Sequence, residues 1–95
     1  MKIEIKKRAD SNIKKLVLYI SEQGYPNNAE RYAIRLYDFL FSLSKHSNAY
    51  TLCRNKKWAA KNYYCAIFES TYVIPYKVKA NTVFIMNVVH GSKLK

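Results

Sequence analysis

Histidine and lysine stand three residues apart near the end of the chain, in the run Val83-Phe-Ile-Met-Asn-Val-Val-His90-Gly-Ser-Lys93. An imidazole titrates close to neutrality, so it can take or give a proton under physiological conditions. A lysine ammonium can offset charge that develops on a phosphate. Metal-free RNA cleavage needs such parts: a base for the 2′-hydroxyl proton, a cation for the phosphorane, and an acid for the leaving oxygen. His90 and Lys93 are the candidate catalytic pair, with Lys77 and Arg54 able to join them. The competing reading of His90 is plainer: it closes a strand and hydrogen-bonds a neighbouring loop.

The surroundings of that pair are strongly basic. Seventeen Lys and Arg face six Asp and Glu in 95 residues, a net charge of +11. The excess is uneven: residues 1–52 carry nine basic and five acidic residues, whereas residues 53–95 carry eight basic residues and one acidic residue, Glu69. Such asymmetry suits nucleic acid, an acidic protein partner or an anionic surface, and a solvated lysine coat is the bland alternative. Arg54, Lys56, Lys57, Lys61, Lys77, Lys79, Lys93 and Lys95 are the candidate contacts, with Trp58 between Lys57 and Lys61 able to stack on a base. The other aromatics are less telling. Tyr19, Tyr32 and Tyr37 fall on or beside helical stripes, where packing explains them, and Tyr72 and Tyr76 should face the core. His46 follows a helical segment, where it suits the negative end of the dipole.

Several classes are disfavoured. No apolar run approaches the roughly 18 residues that a membrane span needs, and the charged start Met1–Arg8 is unlike a secretory leader. The chain reads as cytoplasmic. Cys53 and Cys65 have no CxxC or His/Cys cluster beside them, so no metal and no cofactor is expected, and the two read as free, partly buried thiols.

The length allows one domain, residues 1–95. Ile3 and Ile5 alternate with charges and predict a short first strand. Ala9, Ile13, Leu16, Val17 and Ile20 form one amphipathic helical stripe that Gly24 ends. Asn27 or Asn28 can cap a second helix, whose stripe Ala29, Leu36, Leu40 and Leu43 runs to about Ser44. The short connection makes these two an antiparallel hairpin. Residues 45–62 carry no period and read as a loop. Tyr63 to Phe68 reads as a strand buried on both faces. Tyr72 to Lys79 alternates as a half-buried strand in which Pro75 implies an edge or a bulge. Ala80-Asn81 is a tight turn, and Val83 to Val89 reads as a central strand, apolar on both faces except at Asn87. The order is β-α-α-β-β-β, an α+β fold with the helical hairpin on a small antiparallel sheet.

This ordered set resembles the RelE/ParE superfamily of type II toxin–antitoxin toxins. The helical part, Ala9-Asp10, Ile13, Tyr19-Ile20, Gly24, Pro26, Ala29 and Leu36, is close to the family's A-x-x-D/N-L-x-x-I-x-x-Y-I and P-x-x-A elements. More specific is Tyr72-Val-Ile-Pro-Tyr76-Lys-Val followed by the strand that ends His90-Gly-Ser-Lys93, which the family writes as y-x-I-x-Y-x-V and V-x-H-x-x-R. The H-G-S-K ending most resembles the H-x-A-R of ParE-like sequences. The resemblance implies a growth-control or plasmid-stabilisation toxin, neutralised by a small antitoxin, that poisons DNA gyrase. The alternative it implies is a RelE-like, ribosome-dependent mRNA endonuclease. RelE-type nucleases often place an arginine after the aromatic of the penultimate strand, and that position here is Val73.

Overall fold

The computed structural model describes residues 1–24 and 26–94; the candidate contact Lys95 lies outside the described residues. Strand β1 (Lys2–Ile5) leads into helix α1 (Lys7–Glu22) and helix α2 (Pro26–His46); the short helix α3 (Lys56–Ala60) follows, then β2 (Tyr64–Phe68), β3 (Tyr72–Lys79), β4 (Thr82–Ile85) and β5 (Val89–His90), with a 3₁₀ turn over Gly91–Leu94. The α+β class and the helical hairpin on a sheet stand as expected. α1 ends where Gly24 takes φ +88 and its N–H reaches the Ser21 carbonyl, a left-handed stop that favours glycine. α2 starts earlier than the asparagine caps suggested: Asn27 and Asn28 lie inside its first turn, behind a proline well suited to that position.

The sheet order is β1-β4-β3-β2, with β5 pairing β3. It is mixed rather than wholly antiparallel, because β1 runs parallel to β4, with Ile3 opposite Val83 and Ile5 opposite Ile85. Alternation assigns a residue to a face but not a direction to a strand, so the pattern was silent on this point. The helix-facing side supplies Ala66, Phe68, Ile74, Tyr76, Val83 and Ile85, which close over Ala9, Ile13, Leu36, Leu40 and Leu43 from the hairpin. At roughly 25 cal/mol per Å² of apolar area removed from water, this shared core is the main source of stability.

Three segments depart from the expected pattern. β2 is buried on one face only: Ala66 and Phe68 enter the core, while Ile67 is 53% exposed, since the strand ends the sheet path. Its outer edge is partly covered by residues 51–53. Leu52 bridges to Tyr64, the Cys53 N–H donates to the Tyr63 carbonyl, and the Cys65 N–H donates to the Thr51 carbonyl. That pairing sets Cys53 and Cys65 4.8 Å apart at Cα and joins them as a disulfide, so the two are not free thiols. The expected loop also contains α3, whose first turn is capped by Asn55 Oδ1 accepting from the N–H groups of Lys57 and Trp58.

Pro75 lies in the middle of a central strand. Its carbonyl accepts from the Met86 N–H, so its donorless nitrogen also points to the β4 side of the strand. There β4 has ended at Ile85 and β5 has not begun, and the missing donor breaks no ladder. The expected continuous strand from Val83 to Val89 is therefore two strands separated by Met86–Val88. Tyr76, fully buried, donates its hydroxyl to the Ser47 carbonyl at 2.6 Å and anchors the segment after α2 to the sheet. Ala80 and Asn81 both take positive φ, 51° and 59°, the geometry of a two-residue hairpin turn. No helix among the described residues is long and apolar enough to cross a membrane.

Candidate functional site

The break after Ile85 decides where His90 goes. Asn87 turns its side chain back, accepting from the Val88 N–H and from the Asn12 amide of α1. The chain then pairs again with the start of β3, setting His90 opposite Tyr72 and Val89 opposite Val73. The Gly91 N–H donates to the Thr71 carbonyl at 2.8 Å, and a Cβ at Gly91 would come to 3.3 Å from that oxygen, so the close approach favours glycine. The outcome is a cleft of about 610 Å³ between the exposed flank of α1 and the tip formed by β5 and the 3₁₀ turn. Its functional groups are Lys15, Tyr19, Tyr72, His90, Ser92 and Lys93.

His90 and Lys93, the pair expected from sequence, are brought to this one cleft. The orientation of His90 is specific. Its Nδ1 accepts from the Ser92 N–H at 3.1 Å, with Ser92 Oγ at 2.8 Å. A backbone N–H can only donate, so the neutral ring carries its proton on Nε2. The ring meets Tyr72 edge-on, centroids 5.3 Å apart, and Tyr72 in turn meets Tyr32 at 6.3 Å. Burial, and next the nearby Tyr19, raise the Tyr72 hydroxyl above the ordinary phenol range, so it is a neutral donor at physiological pH.

The rest of the basic set does not converge on the cleft. Arg54 and Trp58 line a separate cavity of about 480 Å³ with Leu52, Ile67 and Val73. Lys56 and Lys57 sit exposed on α3, and Lys61 lies 5.9 Å from the Tyr63 ring centroid. Lys77 lies 5.8 Å from the centre of Phe84 on β4, and Lys79 is exposed beside the β3–β4 turn. Conversely, sequence reasoning passed over two members of the cleft, Lys15 and Tyr19, the second as a packing residue although it is 61% exposed. A signal for them existed: Asn12, Lys15, Leu16 and Tyr19 fall at i, i+3, i+4 and i+7, one face of α1 beside the buried Ile13. Among the described residues no group of three or more His, Cys, Asp or Glu could hold a metal ion.

The fold is thus a helical hairpin on a mixed sheet that ends in a basic C-terminal tip. Residues 3–94 match the model of the ParE toxin of the type II toxin–antitoxin system parDE. The chain belongs to the ParE toxin family. A chromosomal ParDE toxin–antitoxin system from P. aeruginosa contains a chain of the same fold, aligned over 95% of both chains with a TM-score of 0.79 and 12% sequence identity. No curated protein matches the sequence.

Proposed function

We propose that this protein is the growth-arresting half of a toxin–antitoxin pair and that it acts by gripping DNA gyrase rather than by cutting RNA. The observation that carries this reading is the Ser92 N–H on His90 Nδ1. It leaves Nε2 as a donor, so the neutral ring offers the cleft no lone pair with which to take a 2′-hydroxyl proton. Val73 adds to it. Where RelE-type nucleases often carry an arginine, this side chain lines an apolar wall with Leu52 and Ile67. The cognate antitoxin is a small protein, and the groove lined by Ile13, Val17, Leu18, Ala33 and Tyr37 between α1 and α2 suits an apolar helix of such a partner.

One observation favours the second reading, ribosome-dependent mRNA cleavage: His90, Lys15, Lys93 and Tyr72 share one cleft. In that case Nε2–H serves as the acid for the leaving oxygen and the lysines offset the phosphorane charge. Purified protein is added to a gyrase supercoiling reaction and, separately, to a translation extract with primer extension on the message. Trapped, cleaved plasmid is the expected result. Cleavage confined to translated mRNA overturns the gyrase reading, and the His90→Ala variant then loses at least ~100-fold if the ring is in the reaction. No effect in either reaction and no growth arrest on expression reject the toxin reading itself.

A further inference from the structure

We infer that the cleft between α1 and the C-terminal tip binds the phosphate backbone of a single-stranded nucleic acid, directly and without cleaving it. The lining is one-sided in its chemistry. Lys15 and Lys93 supply ammonium groups from two different elements, His90 presents Nε2–H, and Tyr72 and Tyr19 present phenols. The lining contains no Asp or Glu. The Asn12 side chain, the least exposed polar group of the lining on α1, already has its amide nitrogen engaged by Asn87. Beside the apolar Leu16, Val88 and Val89, the polar groups of the lining mostly donate; they select a ligand that mostly accepts, and a phosphodiester is such a ligand.

Two further features select a strand over a free phosphate. The volume, about 610 Å³, is that of a site for a nucleotide-sized ligand rather than for a small ion. Tyr19 stands exposed at its wall, where a base freed from its neighbours can stack. The cleft also continues: a second depression lined by Lys7, Arg8, Ser11, Asn12 and Lys15 shares Asn12 and Lys15 with it. From Lys7 to Lys15 a helix advances roughly 12 Å. The combined track is long enough for successive phosphates of one strand. Cleavage is not expected, because the neutral His90 ring commits its lone pair to the Ser92 N–H and cannot take the 2′-hydroxyl proton.

Binding in this cleft does not depend on the cellular target, whereas the absence of cleavage rests on the reading of His90 in the proposed function, and the test separates the two. Fluorescently labelled oligo(dT) and oligo(U) are titrated with the intact protein at physiological salt and followed by anisotropy. Lys15→Ala/Lys93→Ala removes two charges from the cleft; Lys77→Ala/Lys79→Ala removes two charges from the end of β3 beside the β3–β4 turn, outside the cleft lining. All four side chains are at the surface, and thermal unfolding confirms that both variants fold. The cleft variant should weaken binding about tenfold or more and flatten its salt dependence, with a smaller loss in the turn variant. Tyr19→Ala should cost about tenfold without altering the salt slope. The sugar bound more tightly identifies the natural strand. Equal losses from the two double variants, no binding by the wild-type chain, or a cut oligonucleotide each overturn the inference, whatever the gyrase and translation reactions show.

Discussion

Asn12 on α1 donates its side-chain amide to Asn87 Oδ1 at 2.6 Å, joining residues 75 positions apart. The acceptor is identified as oxygen because it also takes the Val88 N–H at 2.8 Å. One amide thus holds the strand break, the helix and the wall of the cleft together. Asn87→Ala leaves the Val88 N–H and the Asn12 amide without that partner. A loss of about 1–3 kcal/mol in chemical denaturation is expected. Asn87→Asp, which keeps the acceptor, should lose less, and an equal loss would show that the bridge is unimportant.

Tyr76 gives a pH signature. Burial, followed by the nearby Tyr50 and Tyr64, pushes its hydroxyl up to about 12, and Tyr32 is likewise raised to about 12, chiefly by burial. In the unfolded chain both ionise near pH 10. The unfolded state therefore gives up protons first: stability from these groups is complete below pH 10 and drains away as the pH climbs to about 12. Denaturation midpoints across that interval should fall, and fall less steeply in Tyr76→Phe. The same variant should be about 1–2 kcal/mol less stable at neutral pH, because the Ser47 carbonyl loses its donor.

The disulfide closes a ring whose ends are 12 positions apart. For a loop of this size the chain-entropy account gives about 3 kcal/mol. Cys53→Ser/Cys65→Ser should unfold at lower denaturant by about that amount, and a dithiol reductant should bring the wild-type chain close to the same value. Mass spectrometry of the alkylated, unreduced protein checks the linkage: no added mass is expected, and two alkyl groups would disprove the bridge.

The tautomer of His90 is measurable directly. Nitrogen NMR of the imidazole should place the proton of the neutral ring on Nε2. Ser92→Pro removes the N–H that enforces this choice and should give a mixture of tautomers; Ser92→Ala retains the N–H and should keep the single form.

Much of this was legible from residue types. The stripe Ile13, Leu36, Leu40 and Leu43 named the helical hairpin because 3.6-residue periodicity is enforced by burial. His90 and Lys93 could be singled out because they stand together at a strand end, and the structure brings both to one cleft. What escaped had non-local causes. The parallel pairing of β1 with β4 depends on how the whole hairpin crosses the sheet. Residues 51–53 carry no alternation, so neither their pairing with β2 nor the disulfide that follows from it was visible. Lys15 and Tyr19 line the cleft only because the tip folds back against α1. Pro75 in an alternating run implies an edge or a bulge; the structure uses a third solution, a gap in the neighbouring strand.

That gap has a kinetic meaning. Beyond Val88, whose side chain is buried in the core, the described residues are held to the body by two ladder pairs and the Gly91–Thr71 hydrogen bond. A segment with so few ties is a separate opening unit, able to detach while the remaining sheet stays closed. Amide hydrogens of Val89 to Ser92 should accordingly exchange long before those of Ile74, Tyr76 and Ile85. The half of the cleft that carries His90 and Lys93 sits on a hinged fingertip, and the half that carries Lys15 and Tyr19 sits on the palm.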